Sequence, residues 1–382
     1  MRPNLKPLLA LLALAIVTLA GGGVAAASTA ATSAWPEALH DSAHSATASV
    51  TGPSTGRVEW TRSLGGNITP GPVVAADGTI YVATNAGVLH ALNPTTGADL
   101  WTFGGGGPYT GETDLSTSPL VLPQGSILWP GPADTLYELS SVGQLLWSHR
   151  FDGMVLSPAL AGTSVYVGLM SGTVWELNVR GTLPVLGWST SIGHSSFGSP
   201  VVNPDGDVIT TADRSVVALS GATGTVRWRR DASATIEVSP SVAATGDVYV
   251  AANDGSVYEF RPDGSLAWRR HIGQESYSSS SVTSNGLLYF GDNSGALNIV
   301  RATSGDEERT DRGVKGLWAA QAIDQQGDVY FGTQGKEIYG YRATGHQLFR
   351  VRASGPFDSY PALTGNGTLL IGDEAGTLYA IG

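Results

Sequence analysis

Short segments in which apolar and polar positions alternate recur along this chain, each bounded by glycine-containing turns. Ile80-Tyr81-Val82, Val165-Tyr166-Val167, Val248-Tyr249-Val250 and Val329-Tyr330-Phe331 are clear examples, and their pattern predicts β-strands. Asp77-Gly78, Asp205-Gly206, Asn285-Gly286 and Asn366-Gly367 stand just before such segments and tolerate the positive φ of tight hairpins. After another glycine turn a further strand follows, as in Val88-Leu89-His90-Ala91-Leu92 and Thr377-Leu378-Tyr379-Ala380-Ile381. Each unit opens on a short segment at Ser118-Pro119, Ser157-Pro158, Ser199-Pro200 or Ser239-Pro240, with Tyr360-Pro361 in the last. Most close on a Gly-x-x-x-Trp element, while Gly345 leads to Phe349, Gly305 to Arg309 and a longer form runs from Gly181 to Trp188.

That closing element sets the period. Trp60, Trp101, Trp147, Trp188, Trp228, Trp268, Arg309 and Phe349 follow one another at intervals of 41, 46, 41, 40, 40, 41 and 40 residues. Four short antiparallel strands per repeat of this length predict an all-β fold, a β-propeller. The second strand of the repeat occurs eight times, near positions 80, 127, 165, 208, 248, 288, 329 and 369. The last repeat runs into Gly382 without a fourth strand, whereas Thr55 to Trp60 has no strands before it. Pairing this N-terminal strand with the C-terminal blade closes a single eight-bladed ring over residues 56–382 and leaves no half-made sheet.

The residues before the ring read as a leader. Arg2 and Lys6 precede a largely apolar run from Leu8 to Ala20, and Ala25-Ala26-Ala27 offers a small-residue cleavage site. The run ends in Gly21-Gly22-Gly23, short of the about 20 residues a membrane span needs. Residues 1–27 are therefore expected to be a signal peptide, with an uncleaved anchor as the alternative and no membrane span after cleavage. Residues 28–55 are rich in Ala, Ser, Thr and His and are expected to be a flexible lead-in, with Trp35-Pro36 and His40-Asp41 as the candidates for docking on the fold. His40, Asp41 and His44 within it have a metal-like spacing but lack a nearby fourth ligand.

Composition narrows the chemistry. The chain has 382 residues, 42% hydrophobic, enough for a packed core. With no cysteine, disulfides, thiolate metal sites, a cysteine nucleophile and a cysteine-borne lipid anchor are excluded. A net charge of −11 with only three lysines argues against nucleic acid as a partner.

Ala91-Leu92-Asn93-Pro94-Thr95-Thr96-Gly97-Ala98-Asp99-Leu100-Trp101 resembles the hallmark of the pyrroloquinoline-quinone-type propeller repeat, and Ala218 to Trp228 is a second copy. The resemblance extends over residues 35 to 382. It is similar to exported eight-bladed propellers that include quinoprotein alcohol dehydrogenases and a non-enzymatic outer-membrane assembly lipoprotein. The resemblance implies that Trp60, Trp101, Trp147, Trp188, Trp228, Trp268 and Phe349 dock each blade on its neighbour. Arg309 breaks that series, so the contact between blades six and seven is expected to be the weakest. The family's enzymes, as the resemblance implies, hold the quinone over a disulfide and bind calcium through Glu, Asn and Asp. Asp292-Asn293 and Asp373-Glu374 lie at turns, where Asx residues ordinarily stabilise the turn itself.

Nine residues beyond most positions of the aromatic series lies a place where residue type does not repeat. It holds Thr69, Phe197, Glu237, Tyr277, Trp318 and Asp358, with Val155 and Ser116 at the two irregular repeats. Phe197, Glu237, Tyr277, Trp318 and Asp358 form the candidate ligand-binding rim of a central funnel, joined by Tyr109 from the loop after Gly104 to Gly107. Two aromatic faces beside two carboxylates suit a sugar, a cationic group or a peptide end. The competing reading is that bulky residues plug a wide ring. Glu237 and Asp358 are the only pair in this set suited to glycoside hydrolysis. Glu112 and Asp114 follow Tyr109, and His194 and His271 sit alone on connecting loops.

The expected protein is thus an exported, non-catalytic binding or scaffolding propeller, monomeric, with no catalytic residue, metal or cofactor. Its partner would be an extracellular or envelope protein, or a small ligand or glycan. A quinone-dependent oxidoreductase with calcium, and a glycan-binding or glycan-cleaving propeller, are the alternatives.

Overall fold

The computed structural model describes residues 35–109, 117–181, 183–193, 197–271, 274–312 and 314–382. The expected signal peptide, and Glu112, Asp114, Ser116 and His194, lie outside the described residues. Among the described residues, thirty-two strands form eight antiparallel sheets of four. Blade one comprises Val73–Val74, Ile80–Thr84, Val88–Leu92 and Asp99–Gly104, from the axis outward. Blade eight is built from Ala362–Leu363, Leu369–Gly372, Thr377–Ile381 and the N-terminal Val58–Ser63. Trp60 pairs with Ala380 and Ser63 with Thr377, which closes the ring.

Burial follows from the radial order of the strands. Inner strands are only two or three residues long, because little room exists at the axis. The next two strands are mostly buried on both faces between neighbouring blades, as in Ile80–Thr84 and Ser215–Ser220. Outer strands alternate between exposed and half-buried positions, as in Asp99–Gly104 and Leu145–Arg150. The core therefore lies in layers between blades, sealed at the outside by the repeating aromatic at every boundary but the one that carries Arg309.

The aromatic docks through one hydrogen bond and one glycine. The indole N–H groups of Trp60, Trp228 and Trp268 donate to Pro94, Pro262 and Ala302 carbonyls of the following blade at 2.8–3.0 Å. Trp101 and Trp188 do the same toward Ser141 and Gly221. Trp147 stacks on His149, and Phe349 on Tyr330. Gly97 lies flat beneath the Trp60 ring at φ +67°, where a Cβ would stand 2.5 Å from Cε3. The glycine and the tryptophan of the motif thus serve one another across a blade boundary. At Arg309 the guanidinium takes over: Nη1 donates to the Ala343 carbonyl at 3.0 Å, while Nε pairs with Asp311. The broken pattern keeps its polar contact and loses only the indole's apolar area.

The expectation of a flexible lead-in is corrected from Trp35 onward. Trp35, Leu39 and Ala46 are fully buried. Val74 N–H donates to the Trp35 carbonyl, Val121 to Pro36, Val202 to Ser42, Val242 to Ala43 and Ile323 to Ala46, at 2.7–2.9 Å. Leu160 N–H finds the Glu37 carboxyl instead, at 3.1 Å. The inner strands have no neighbour on their axial edge, so their N–H groups need acceptors. The lead-in supplies them and forms a plug across one end of the channel. It leaves past blade seven, where Gln325 N–H donates to Val50 and Gly52 N–H to Asp324. Gly52 is required there, since a Cβ would strike the Tyr330 ring at 2.6 Å.

The Ser-Pro segments also do more than punctuate the chain. Ser118 N–H donates to Ser157 Oγ, Ser199 to Ser239 Oγ and Ser239 to Ser279 Oγ, at 2.8–3.2 Å. These bonds run from blade to blade around the axis.

Candidate functional site

The connectors that carry the candidate rim lie on the face opposite the plug. Each is pinned by a turn of the blade it enters: Asn253 N–H donates to Thr235, Asn293 to Glu275, Gln334 to Gly316 and Glu374 to Pro356, at 2.8–3.0 Å. These bonds fix the connectors on which the candidate rim residues stand.

The structure brings three of the sequence-selected residues together. The Tyr277 and Trp318 rings meet edge to face at 6.1 Å, and Trp318 is 41% exposed. The Tyr277 hydroxyl donates to Glu275 Oε1 at 2.8 Å. That bond, burial, and the negative charges of Glu275 and Glu237 push the phenol up to about 12. Asn293 Nδ2 steadies the other oxygen of Glu275 at 3.2 Å. Asp358 accepts instead from Gln334 Nε2 at 2.5 Å. Phe197 is half-buried, Thr69 and Val155 are buried, and the Thr69 hydroxyl donates to Asn85. The Tyr109 hydroxyl donates to the Pro130 carbonyl of blade two at 2.6 Å.

Glu275, Asn293 and Gln334 escaped the reading of the sequence. Glu275 stands two residues before Tyr277 in the same connector, a position compatible with one shared site. No regular spacing pointed to Gln334.

Charge distinguishes this cluster from the outer strands. Around those strands arginine pairs with acids of the same blade, as in Arg227–Asp207, Arg214–Asp231 and Arg350–Glu337. Among the described residues neither Glu237 nor Glu275 enters an ion pair. Lys315, exposed on the Trp318 connector, is the nearest cation in sequence. Exposed aromatic rings beside uncompensated carboxylates attract cationic groups and polar ligands with a flat face.

The quinone and calcium that the resemblance implies do not fit these residues. The chain lacks the cysteines of the disulfide. Asp292 accepts from the Ser294 N–H and Oγ, the Ala296 N–H and Asn298 Nδ2. Burial pushes its carboxyl up, but these donors outweigh burial and hold it below the usual range. Asp373 is likewise enclosed by the Gly355 and Thr377 N–H groups and the hydroxyls of Ser354 and Tyr379. Both aspartates build turns. Asp41 in the plug accepts from Ala43, Ser45 and His40, and His44 is buried, so that triplet builds the plug. Among the described residues no three His, Asp or Glu side chains converge as a metal site.

Comparison with solved structures supports the fold. The crystal structure of BamB from Moraxella catarrhalis superposes with a TM-score of 0.67 at 16% identity, covering 85% of this chain and 98% of that one. The quinohemoprotein alcohol dehydrogenase of Comamonas testosteroni gives 0.71 at 13% identity, covering 91% and 80%. A europium-containing methanol dehydrogenase gives 0.70 at 13%, covering 88% of each. A curated relative, the outer membrane protein assembly factor BamB of Moranella endobia (strain PCIT), is 27% identical over 197 residues, 46% of this chain. The chain spans about half the length of that relative, 47%. A family profile described as outer membrane protein assembly factor BamB matches residues 44–109, 85–183 and 171–311. With most of the ring inside those matches, the chain belongs to the PQQ-type propeller family of the outer membrane protein assembly factor BamB.

Proposed function

We propose that this protein is an exported, non-catalytic binding and scaffolding propeller of the cell envelope. It would act as a monomer, without metal or cofactor, and present the face opposite its plug to a partner protein. The observation that carries this reading is the rigid cluster of Trp318, Tyr277, Glu237 and Glu275, which the fold positions and does not use. Membership of the assembly-factor family and the leader-like N-terminus support an envelope location. An exposed aromatic with a polar neighbour is the kind of anchor around which protein interfaces form.

The test has three arms. A photo-crosslinking phenylalanine analogue at position 318, introduced in the source cell, is expected to capture one envelope protein, with the adduct lost on adding Tyr277→Ala. Calorimetric titration of the purified protein with pyrroloquinoline quinone and calcium is expected to give no heat. Micromolar binding abolished by Trp318→Ala or Glu237→Gln would overturn the reading in favour of an oxidoreductase. Selective retention on a polysaccharide array, lost in the same variants, would favour a glycan-binding module.

A further inference from the structure

The plug shows what the axial edge of an inner strand binds. In six blades the second residue of that strand donates its N–H to the lead-in: Val74, Val121, Leu160, Val202, Val242 and Ile323. The equivalent residues of blades six and eight are Val282 and Leu363, and among the described residues no lead-in acceptor meets either; of the two, Val282 lines a cavity. Here the lead-in passes from Ala43, bonded to blade five, to Ala46, bonded to blade seven. Beside this step lies a half-open cavity of about 740 Å³ that spans blades four to six, lined by Thr47, Val242, Asp247, Tyr249, Val282 and Thr283 among others.

We propose that this cavity is a second binding site, which takes an extended peptide segment of a partner protein carrying apolar side chains and one basic residue. A main-chain carbonyl of that segment accepts from Val282, repeating the contact that the lead-in makes five times through its own carbonyls. Adding a strand to an exposed sheet edge is a recurrent mode of peptide recognition. The volume lies within the range of ligand pockets, about 300–1,000 Å³. The walls include Ala43, Ala243 and Ala302, an apolar lining that suits apolar side chains. The basic residue is called for by Asp247. Its only side-chain donor among the described residues is the Thr245 hydroxyl, at 2.7 Å. Glu259, behind it, is buried and held toward its neutral form by that burial, so Asp247 is the acidic group that faces the cavity. Asp41 is already saturated by its own loop. The site is on the plugged face and does not depend on the function proposed for the opposite one.

The probe is the blocked pentapeptide acetyl-Ala-Arg-Ala-Val-Ala-amide, titrated into the full protein and followed by amide NMR and hydrogen exchange. Without peptide, the Val282 amide is expected to exchange at least tenfold faster than those of Val202 and Val242. Peptide should slow it and shift the resonances of blades five and six. Ala244→Trp, on the exposed lip of the cavity, should raise Kd at least tenfold without moving Tm. Ser284→Trp offers the same block should the first variant fold poorly. Asp247→Asn should weaken this peptide but not its Gln-for-Arg counterpart. Protection of Val282 equal to that of Val242 in the free protein would overturn the proposal. So would binding that survives both tryptophan variants, or resonance shifts confined to the opposite face.

Discussion

The two ends of the channel are built from the same eight-fold scaffold and use it differently. At the plugged end the contacts are main-chain bonds to inner-strand edges, and the side chains of Trp35, Leu39 and Ala46 are fully buried. At the other end the distinctive groups are side chains on connectors, with Trp318 exposed and Tyr277 half-buried. The plug even tolerates backbone strain: Leu39, His40, His44 and Ala46 all have φ between 51° and 83°. Left-handed conformations cost non-glycine residues roughly 1–2 kcal/mol each. They persist here because the strand edges demand acceptors at fixed places. Where the scaffold's own needs dictate the residues, the site is structural; where they do not, the residues are available for a partner.

The comparison breaks most readily at the plug. Trp35→Ala should cost about 3–5 kcal/mol, as large aromatic truncations in cores do, measured by denaturant unfolding. A loss below 1 kcal/mol would show the plug to be dispensable. His44 gives the next effect. Burial holds its imidazole down at about 4, against an ordinary 6.5. The unfolded chain therefore binds more protons between those values, and stability present above pH 6.5 falls as pH drops toward 4. The full loss is about 3 kcal/mol, and His44→Leu should abolish it. Buried Glu37 acts in the opposite sense, because its carboxyl is held well above 4.5 by burial. Its stabilisation is lost as pH rises through that raised value, so Glu37→Gln is the matching control.

The blade contacts and the rim should respond less. Arg309→Ala removes one hydrogen bond across blades six and seven, worth about 1 kcal/mol. Amide exchange in Glu307–Arg312 is expected to be the fastest among the outer strands, since Arg309 buries less apolar surface than an indole. Equal protection in every blade would show that the guanidinium compensates fully. Trp318→Ala should change stability least, by no more than about 0.5 kcal/mol, while removing whatever binds the exposed face. A substantial drop in Tm would mean that Trp318 belongs to the core and sharpen the contrast against the proposed function.

Much of the ring was legible because its signals are local. Alternation marks strands, Gly pairs mark turns, and the spacing from Trp60 to Phe349 marks blades. The incomplete last repeat and the isolated Thr55 to Trp60 segment revealed the closure. The plug was hidden because Ala46 and Ala48 look like linker residues. Their burial depends on Ile323, hundreds of residues away, whose N–H donates to Ala46 and whose carbonyl accepts from Ala48. Register brought out Glu237, Tyr277 and Trp318, yet it also grouped Asp358 with them, which the structure joins to Gln334. Glu275 carried no periodic signal, and its role appears only once its connector lies beside Asn293.

The sequence by itself determined the repeat, the number of blades, the circular closure and the absence of cysteine chemistry. Those properties depend on periodicity and composition, which no distant contact alters. Tertiary structure decided which end of the channel is filled, how Arg309 replaces an indole, and which side chains remain unneutralised. Each of these depends on groups far apart in the chain meeting at the axis or across a blade boundary. A donor's partner there is set by three-dimensional proximity, and proximity is what a linear pattern does not encode.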